Sequence, residues 1–228
     1  MKNGGRTKEV KNLAVSMLKH GDVDEFEHWR SQNNIGQLDL IGVDLQRTVL
    51  LGVNFDGVIL DGALLQDTVM DGCSFVGASL VRAHLDDASL ADVNFSNADM
   101  RHCNLYCSVI TGCNFTNANL YGACLVEAQG RYTIFSRAKL YHAFMAGGQF
   151  QEANFNGSFL DDSEFFGANL KSATLQRVSA VNTRFDEANF EKASLAGTDI
   201  SEATFNGCRG LSKVIQEQII SNLRKSWG

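Results

Sequence analysis

The chain has 228 residues, 44% of them hydrophobic and 20% charged, the balance of a folded, soluble protein rather than a disordered one. Its net charge of −6 argues against direct binding of nucleic acid or an anionic membrane, because those partners reward concentrations of Lys and Arg that are absent here. No secretory-type apolar core appears near the start, and nowhere do ~18 apolar residues run together, which predicts a cytoplasmic protein without a membrane span.

Residues 1–37 read as an N-terminal helical cap. Thr7 is placed to N-cap a helix through about Lys19, stopped by Gly21, with Val10, Leu13 and Met17 on one face. A second short helix from about Asp22 to Gln32 carries Phe26 and Trp29.

From 38 to 211 a repeat takes over. Every multiple of five from 40 to 210 is Leu, Phe, Met or Ile, except Gly130, Ala180 and Gly210. A helix repeats every ~3.6 residues and a half-buried strand every ~2, so a spacing of five fits neither. Two places before the large residue stands a small one, such as Ala63, Ala78 or Cys103, and the slot between favours Asn, Asp, Ser or Thr. Gly recurs at the fifth slot (Gly42, Gly52, Gly62, Gly72), where a tight corner with positive φ would favour it. The chain has no proline, so every backbone N–H is available to a ladder.

Units such as "ANLYG", "ANFNG", "ANLKS" and "ANFEK" resemble the pentapeptide repeat, A(D/N)LXX, over about three quarters of the chain. The resemblance implies an all-β solenoid, a right-handed quadrilateral β-helix in which each unit forms one side and four units form one coil. The small and the large residue would point inward and the other three outward. An independent sign of the four-unit coil is a period of twenty: Phe55, Phe75, Phe95, Phe115, Phe135 and Phe155 form one structural column, continued by Leu175 and Leu195. Stacked at ~4.8 Å per strand, roughly nine coils would make a rod roughly 40 Å long. Cys73, Cys103, Cys113 and Cys208 occupy the small inward slot, which makes them buried small hydrophobes rather than disulfide or metal partners.

Residues 212–228 read as a C-terminal helical cap. Ser212 can cap a helix through Lys225, with Ile215, Ile219 and Leu223 on one stripe. The primary role is to plug the open end of the solenoid. The family resemblance adds a dimer contact at this end, so the expected state is a monomer or a dimer through the C-terminal end.

No catalytic constellation is present, which argues against an enzyme and calls for no cofactor or metal. There is no phosphate-cradling Gly loop followed by Lys, no Gly-x-Ser-x-Gly elbow and no zinc-binding His pair one helical turn apart. His20, His28, His84, His102 and His142 are scattered, with His102 and His142 two coils apart in one column. The doublets Asp86-Asp87 and Asp161-Asp162 fall in outward slots, as solvated charges rather than acid/base pairs.

Function is therefore expected on the outer surface. The period of twenty assigns charges to four sides over residues 38–212. The first side, through Leu40, Leu60 and Leu80, carries a net −4; the second, −6; the third, 0; and the fourth, above the Phe column, +1. The two acidic sides hold Tyr106, Tyr121, Tyr141, Phe144, Phe159 and Phe166 in outward slots, a candidate contact surface for a protein partner, with Asp86, Asp87, Asp161 and Asp162 beside them. The alternative is that these rings lie along the sheet and only stabilise it. Two functions follow: a non-catalytic interaction or scaffold module, or, from the resemblance, a DNA mimic that binds gyrase or topoisomerase IV and protects it from poisons. Charge weighs against the mimic, because duplex DNA carries a charge every ~1.7 Å, over twenty along ~40 Å. The two acidic sides sum to −10.

Overall fold

The computed structural model describes residues 3–33 and 37–226, with side chains over 9–33 and 37–221. From 38 to 208 the backbone repeats one five-residue pattern without interruption. In the unit 73–77, Cys73 and Phe75 point into the interior and are buried, Ser74 points out, and Val76 and Gly77 make the turn. Outward residues pair in parallel with those twenty positions on, from Asp39 with Ile59 to Asn189 with Arg209. Twenty residues therefore make one coil of four sides, the period that the Phe column marks in the sequence.

The hydrogen bonds explain the polar slot. Phe75 N–H donates to Asn94 O (2.7 Å) and Gly77 N–H to Ser96 O (3.0 Å) on the next coil; Ser74 N–H donates to Val53 O (3.0 Å) on the coil before; Cys73 N–H closes the turn onto Met70 O (3.1 Å). Only Val76 N–H lacks a backbone acceptor, and the Asp56 carboxylate takes it at 2.9 Å. The same N–H is left over in other units, and where a suitable side chain is at hand it finds one of two partners. Where the outward slot holds Asn or Asp, that side chain turns onto it, as Asn94 does onto Ser96 N–H and Asn114 onto Thr116 N–H (3.0 Å each). Where the slot holds Ser or Thr, an Asp or Asn one coil earlier accepts the N–H: Asp61 for Val81, Asp71 for Ala91, Asp161 for Val181 and Asp186 for Asn206. These Asp residues also bind the hydroxyls of Ser79, Ser89, Ser179 and Thr204.

Each corner turns through one left-handed residue. At positions 42, 47 and every fifth residue to 207, φ lies between 54° and 73°, whether or not the residue is Gly. A positive φ at the third residue, with an N–H bond from the fourth to the first, such as Ala78 N–H to Phe75 O (3.0 Å), is the type II pattern. The non-Gly corner residues include none of Val, Ile or Thr, the side chains that left-handed backbone tolerates least. The corner preference is thus steric rather than a requirement for Gly.

Inside, the Phe rings stack along the axis. Centroid distances from Phe55 to Phe155 run 4.8, 5.1, 4.9, 5.0 and 4.8 Å. They match the ~4.8 Å strand spacing that the backbone imposes. The break in the repeat at Gly130 also has a packing cause. The Phe150 ring from the next coil fills the space beneath it, 2.7 Å from where a Cβ on Gly130 would stand and 2.3 Å from one on Gly148. Among the described residues, the inward hydroxyls of Ser158 and Ser163 are buried without a hydrogen-bond partner.

Among the described residues three helices flank the repeat: α1 (Asn3–His20), α2 (Val23–Asn33) and α3 (Lys213–Ser226). α1 begins before Thr7, which lies within it and does not cap it. Its buried face is Ala14, Met17 and Leu18, with Val10 partly buried against the core, so Val10 and Met17 of the expected stripe face inward while Leu13, 48% exposed, does not. Phe26 of α2 is buried, with its ring 6.1 Å from that of Phe55. Polar side chains complete the ladder where no earlier coil exists. Asn54 N–H donates to Glu27 Oε1 (2.7 Å), Arg30 donates to the carbonyls of Asn54 and Asp56, and Lys11 donates to that of Ile41. At the other end Ser212 Oγ accepts from Ile215 N–H at 3.4 Å, and Ile215 is buried while Val214 and Ile220 face out. Leu223, the last member of the expected stripe, has its side chain outside the described residues.

Candidate partner surface

Tyr121, Tyr141 and Asp161 are successive members of one column at the edge between the first and second sides. His102, Gly122, His142 and Asp162 form the column beside it. Gly122 has no side chain, so the His102 imidazole occupies its place; a Cβ on Gly122 would lie 2.6 Å from His102 Nδ1. The Tyr121 ring then stands edge-on between His102 (5.5 Å) and His142 (5.2 Å). Tyr141 stacks on Phe159 at 5.6 Å. Burial pushes the Tyr141 phenol above its usual pKa, and the Asp161 carboxylate adds to the effect. Phe144 follows just round the edge on the second side, so four of the six rings lie on one edge within three neighbouring coils. Tyr121, Phe144 and Phe159 are 39%, 46% and 37% exposed.

Tyr106 and Phe166 do not join this group. Both are exposed, but they sit on the far edge of the second side with two coils between them.

The acids divide differently. Asp161 accepts Ser179 Oγ (2.6 Å) and Val181 N–H (2.9 Å), and Asp86 accepts Asn104 Nδ2 (2.9 Å). The first acid of each doublet is therefore a stitch between coils, which corrects the expectation of two solvated charges. Asp87 is exposed; Asp162 accepts Asn182 Nδ2 (2.7 Å) and lies 3.9 Å from His142 Nε2. The histidines, scattered along the sequence, gather here because His102 and His142 share the column next to that of Tyr121, a placement that the period of twenty carries.

Among the described residues no three His, Cys, Asp or Glu side chains are arranged to hold a metal. The interior is filled by its own side chains. An open hollow of about 480 Å³ lies at the α1–α2 turn, lined by Gly21, Asp22, Val23, Asp24, Glu25 and Leu51, away from the aromatic edge.

The chain is similar to several solved structures. A trypsin-treated form of QnrB1, a plasmid-mediated fluoroquinolone resistance protein, aligns with a TM-score of 0.68 at 21% identity, over 81% of this chain and 95% of that one. HetL, involved in heterocyst differentiation regulation in the cyanobacterium Nostoc sp. strain PCC 7120, is 26% identical over 76% of this chain and 82% of its own, with a TM-score of 0.44. A thylakoid-lumen protein of Arabidopsis thaliana, AT2G44920, is 27% identical over 47% of this chain and 65% of its own, with a TM-score of 0.22. No curated protein matches the sequence significantly. The family model for pentapeptide repeats matches in eight copies, over 36–67, 68–105, 108–129, 133–171, 149–179 and 168–207. With a coil of twenty residues, a side of five and a family match across most of its length, the chain belongs to the pentapeptide-repeat proteins, whose fold is the right-handed quadrilateral β-helix.

Proposed function

We propose that the protein is a non-catalytic interaction module: a rod of roughly nine coils, capped by α1 and α2 at one end and α3 at the other, that presents the edge between its two acidic sides to a protein partner. The observation that carries this reading is the grouping of Tyr121, Tyr141, Phe144 and Phe159 on one edge, three of them well exposed. Exposed aromatic residues that are grouped and rimmed by charge are the composition of a contact site. Affinity capture from the source cell tests it, comparing the chain with a Tyr121→Ala/Tyr141→Ala/Phe159→Ala variant. The reading expects the variant to lose a captured protein, and an unchanged set would sink it.

A second reading, protection of gyrase or topoisomerase IV by DNA mimicry, is favoured by the acidic pair of sides and by the fold shared with a fluoroquinolone resistance protein. It is weakened by the low charge density and by carboxylates such as Asp61, Asp161 and Asp186 that are bound to the next coil. A supercoiling assay with a quinolone separates the two, since only the mimic protects the enzyme.

A further inference from the structure

Resting on the reading of the aromatic edge as a protein contact, we propose that its occupant is an arginine-bearing segment of the partner, with guanidinium groups laid against the exposed rings and the carboxylates of the second side. The chain itself shows the arrangement elsewhere. On the third side the Arg131 guanidinium lies 4.6 Å over the Tyr132 ring while its Nη2 donates to Glu152 Oε1 at 2.7 Å, so ring and carboxylate together hold one arginine. The edge between the first and second sides brings the rings together with Asp161 and Asp162, with Glu127 across the second side, while its own arginine, Arg101, is turned onto Asp99. Tyr121, Phe144 and Phe159 are exposed, and among the described residues no Lys or Arg forms an ion pair with Asp161, Asp162 or Glu127.

The chain's own cations nearby are committed or few. Arg101 is held by both carboxylate oxygens of Asp99, with Nη2 2.8 Å from Oδ2, and Arg184 lies 3.6 Å from Glu164. Lys139, paired with Phe159 across adjacent coils, is the base that a cationic guest would meet. The second side as a whole carries −6. Charge complementarity thus selects a cationic occupant, and the rings select its type. A planar guanidinium stacks on an aromatic face and forks to a carboxylate at the same time, whereas an ammonium is a strongly hydrated point charge.

Calorimetric titration of the full chain with three eight-residue peptides tests this: alternating Arg and Gly, the Lys equivalent and the citrulline equivalent, which keeps the shape of Arg but not its charge. The arginine peptide is expected to bind several-fold more tightly than the lysine peptide, and the citrulline peptide not measurably. The Tyr121→Ala/Tyr141→Ala/Phe159→Ala variant should weaken arginine binding about tenfold. Tyr132→Ala, on the third side, should leave it unchanged, and Lys139→Gln should tighten it. Arginine binding that survives the triple substitution would reduce the effect to bulk charge and overturn the proposal. Absence of arginine binding, with the captured partner still lost in the triple variant, would also overturn it while leaving the edge as a contact for a partner of other chemistry.

Discussion

Arg30 on α2 donates to the main-chain oxygen of Asp56, an acceptor that a preceding coil would otherwise engage. The same guanidinium reaches Asn54 O, and Glu27 one turn earlier accepts Asn54 N–H. The exposed edge of a β structure invites pairing with other chains, and here side chains of a helix satisfy part of it. Arg30→Ala is expected to cost about 1 kcal/mol, since the freed carbonyls regain water but lose charged donors. Urea unfolding measures it; no change in midpoint would show that the edge needs no such partner.

Gly130 and Phe150 form a coupled pair. Gly130→Leu alone places a side chain where the Phe150 ring now lies, and overpacking of this kind costs about 1–3 kcal/mol. Phe150→Leu alone opens space in the interior. The double variant Gly130→Leu/Phe150→Leu restores the ordinary column and is expected to be more stable than the sum of the single effects allows. A double-mutant cycle by denaturant unfolding reads the coupling, and additive effects would contradict the packing argument.

Ser158 and Ser163 offer a test of opposite sign. Their hydroxyls are buried without partners, whereas other hydroxyls in the same slot find acceptors, as Thr133 does on Ile110 O and Thr183 on Leu160 O (2.8 Å each). Alanine already fills this slot in 16 of the 35 units, more than any other residue. Ser158→Ala and Ser163→Ala should each raise stability by about 1 kcal/mol by removing an unsatisfied buried group. A loss of stability in either variant would show that the hydroxyl is bonded in solution.

The thiols should divide by slot. Burial pushes Cys73 up to about 12 and Cys208 to about 11, and raises the Cys103 and Cys113 thiols further still. At pH 8 the folded chain therefore keeps its interior cysteines as unreactive thiols, while Cys107, at an exposed corner, is half accessible. Maleimide labelling followed by peptide mass spectrometry should find Cys107 modified first, and Cys73, Cys103 and Cys113 only in denaturant. Early labelling of Cys113 would mean that the tube opens readily.

Much of this architecture was legible in the residues because every inward position carries a strong and repeated signal. The stacked Phe column announced the twenty-residue coil, and the small slot announced the buried Cys73, Cys103 and Cys113, whereas Cys208, in the last unit, is only half-buried. Positions whose role depends on a neighbour one coil away were harder to read. Asp61 and Asp161 look like surface charges in a linear sequence, yet each accepts an N–H and a hydroxyl twenty and eighteen residues on. Gly130 looked like a lapse in the repeat until Phe150 explained it. The aromatic edge was only half read: the rings were visible, but Tyr106 and Phe166 separated from the rest once edges could be distinguished, and His102 and His142 joined it.

The most direct test of the partner surface is site-specific photo-crosslinking in the source cell. Benzoylphenylalanine is introduced in place of Phe159 or Tyr141 on the aromatic edge, and in place of Arg137 or Arg177 at corners of the fourth side. The account predicts that both edge positions crosslink to the same protein and that the fourth-side positions do not. Crosslinks to that protein from Arg137 or Arg177, with none from Phe159 and Tyr141, would contradict it.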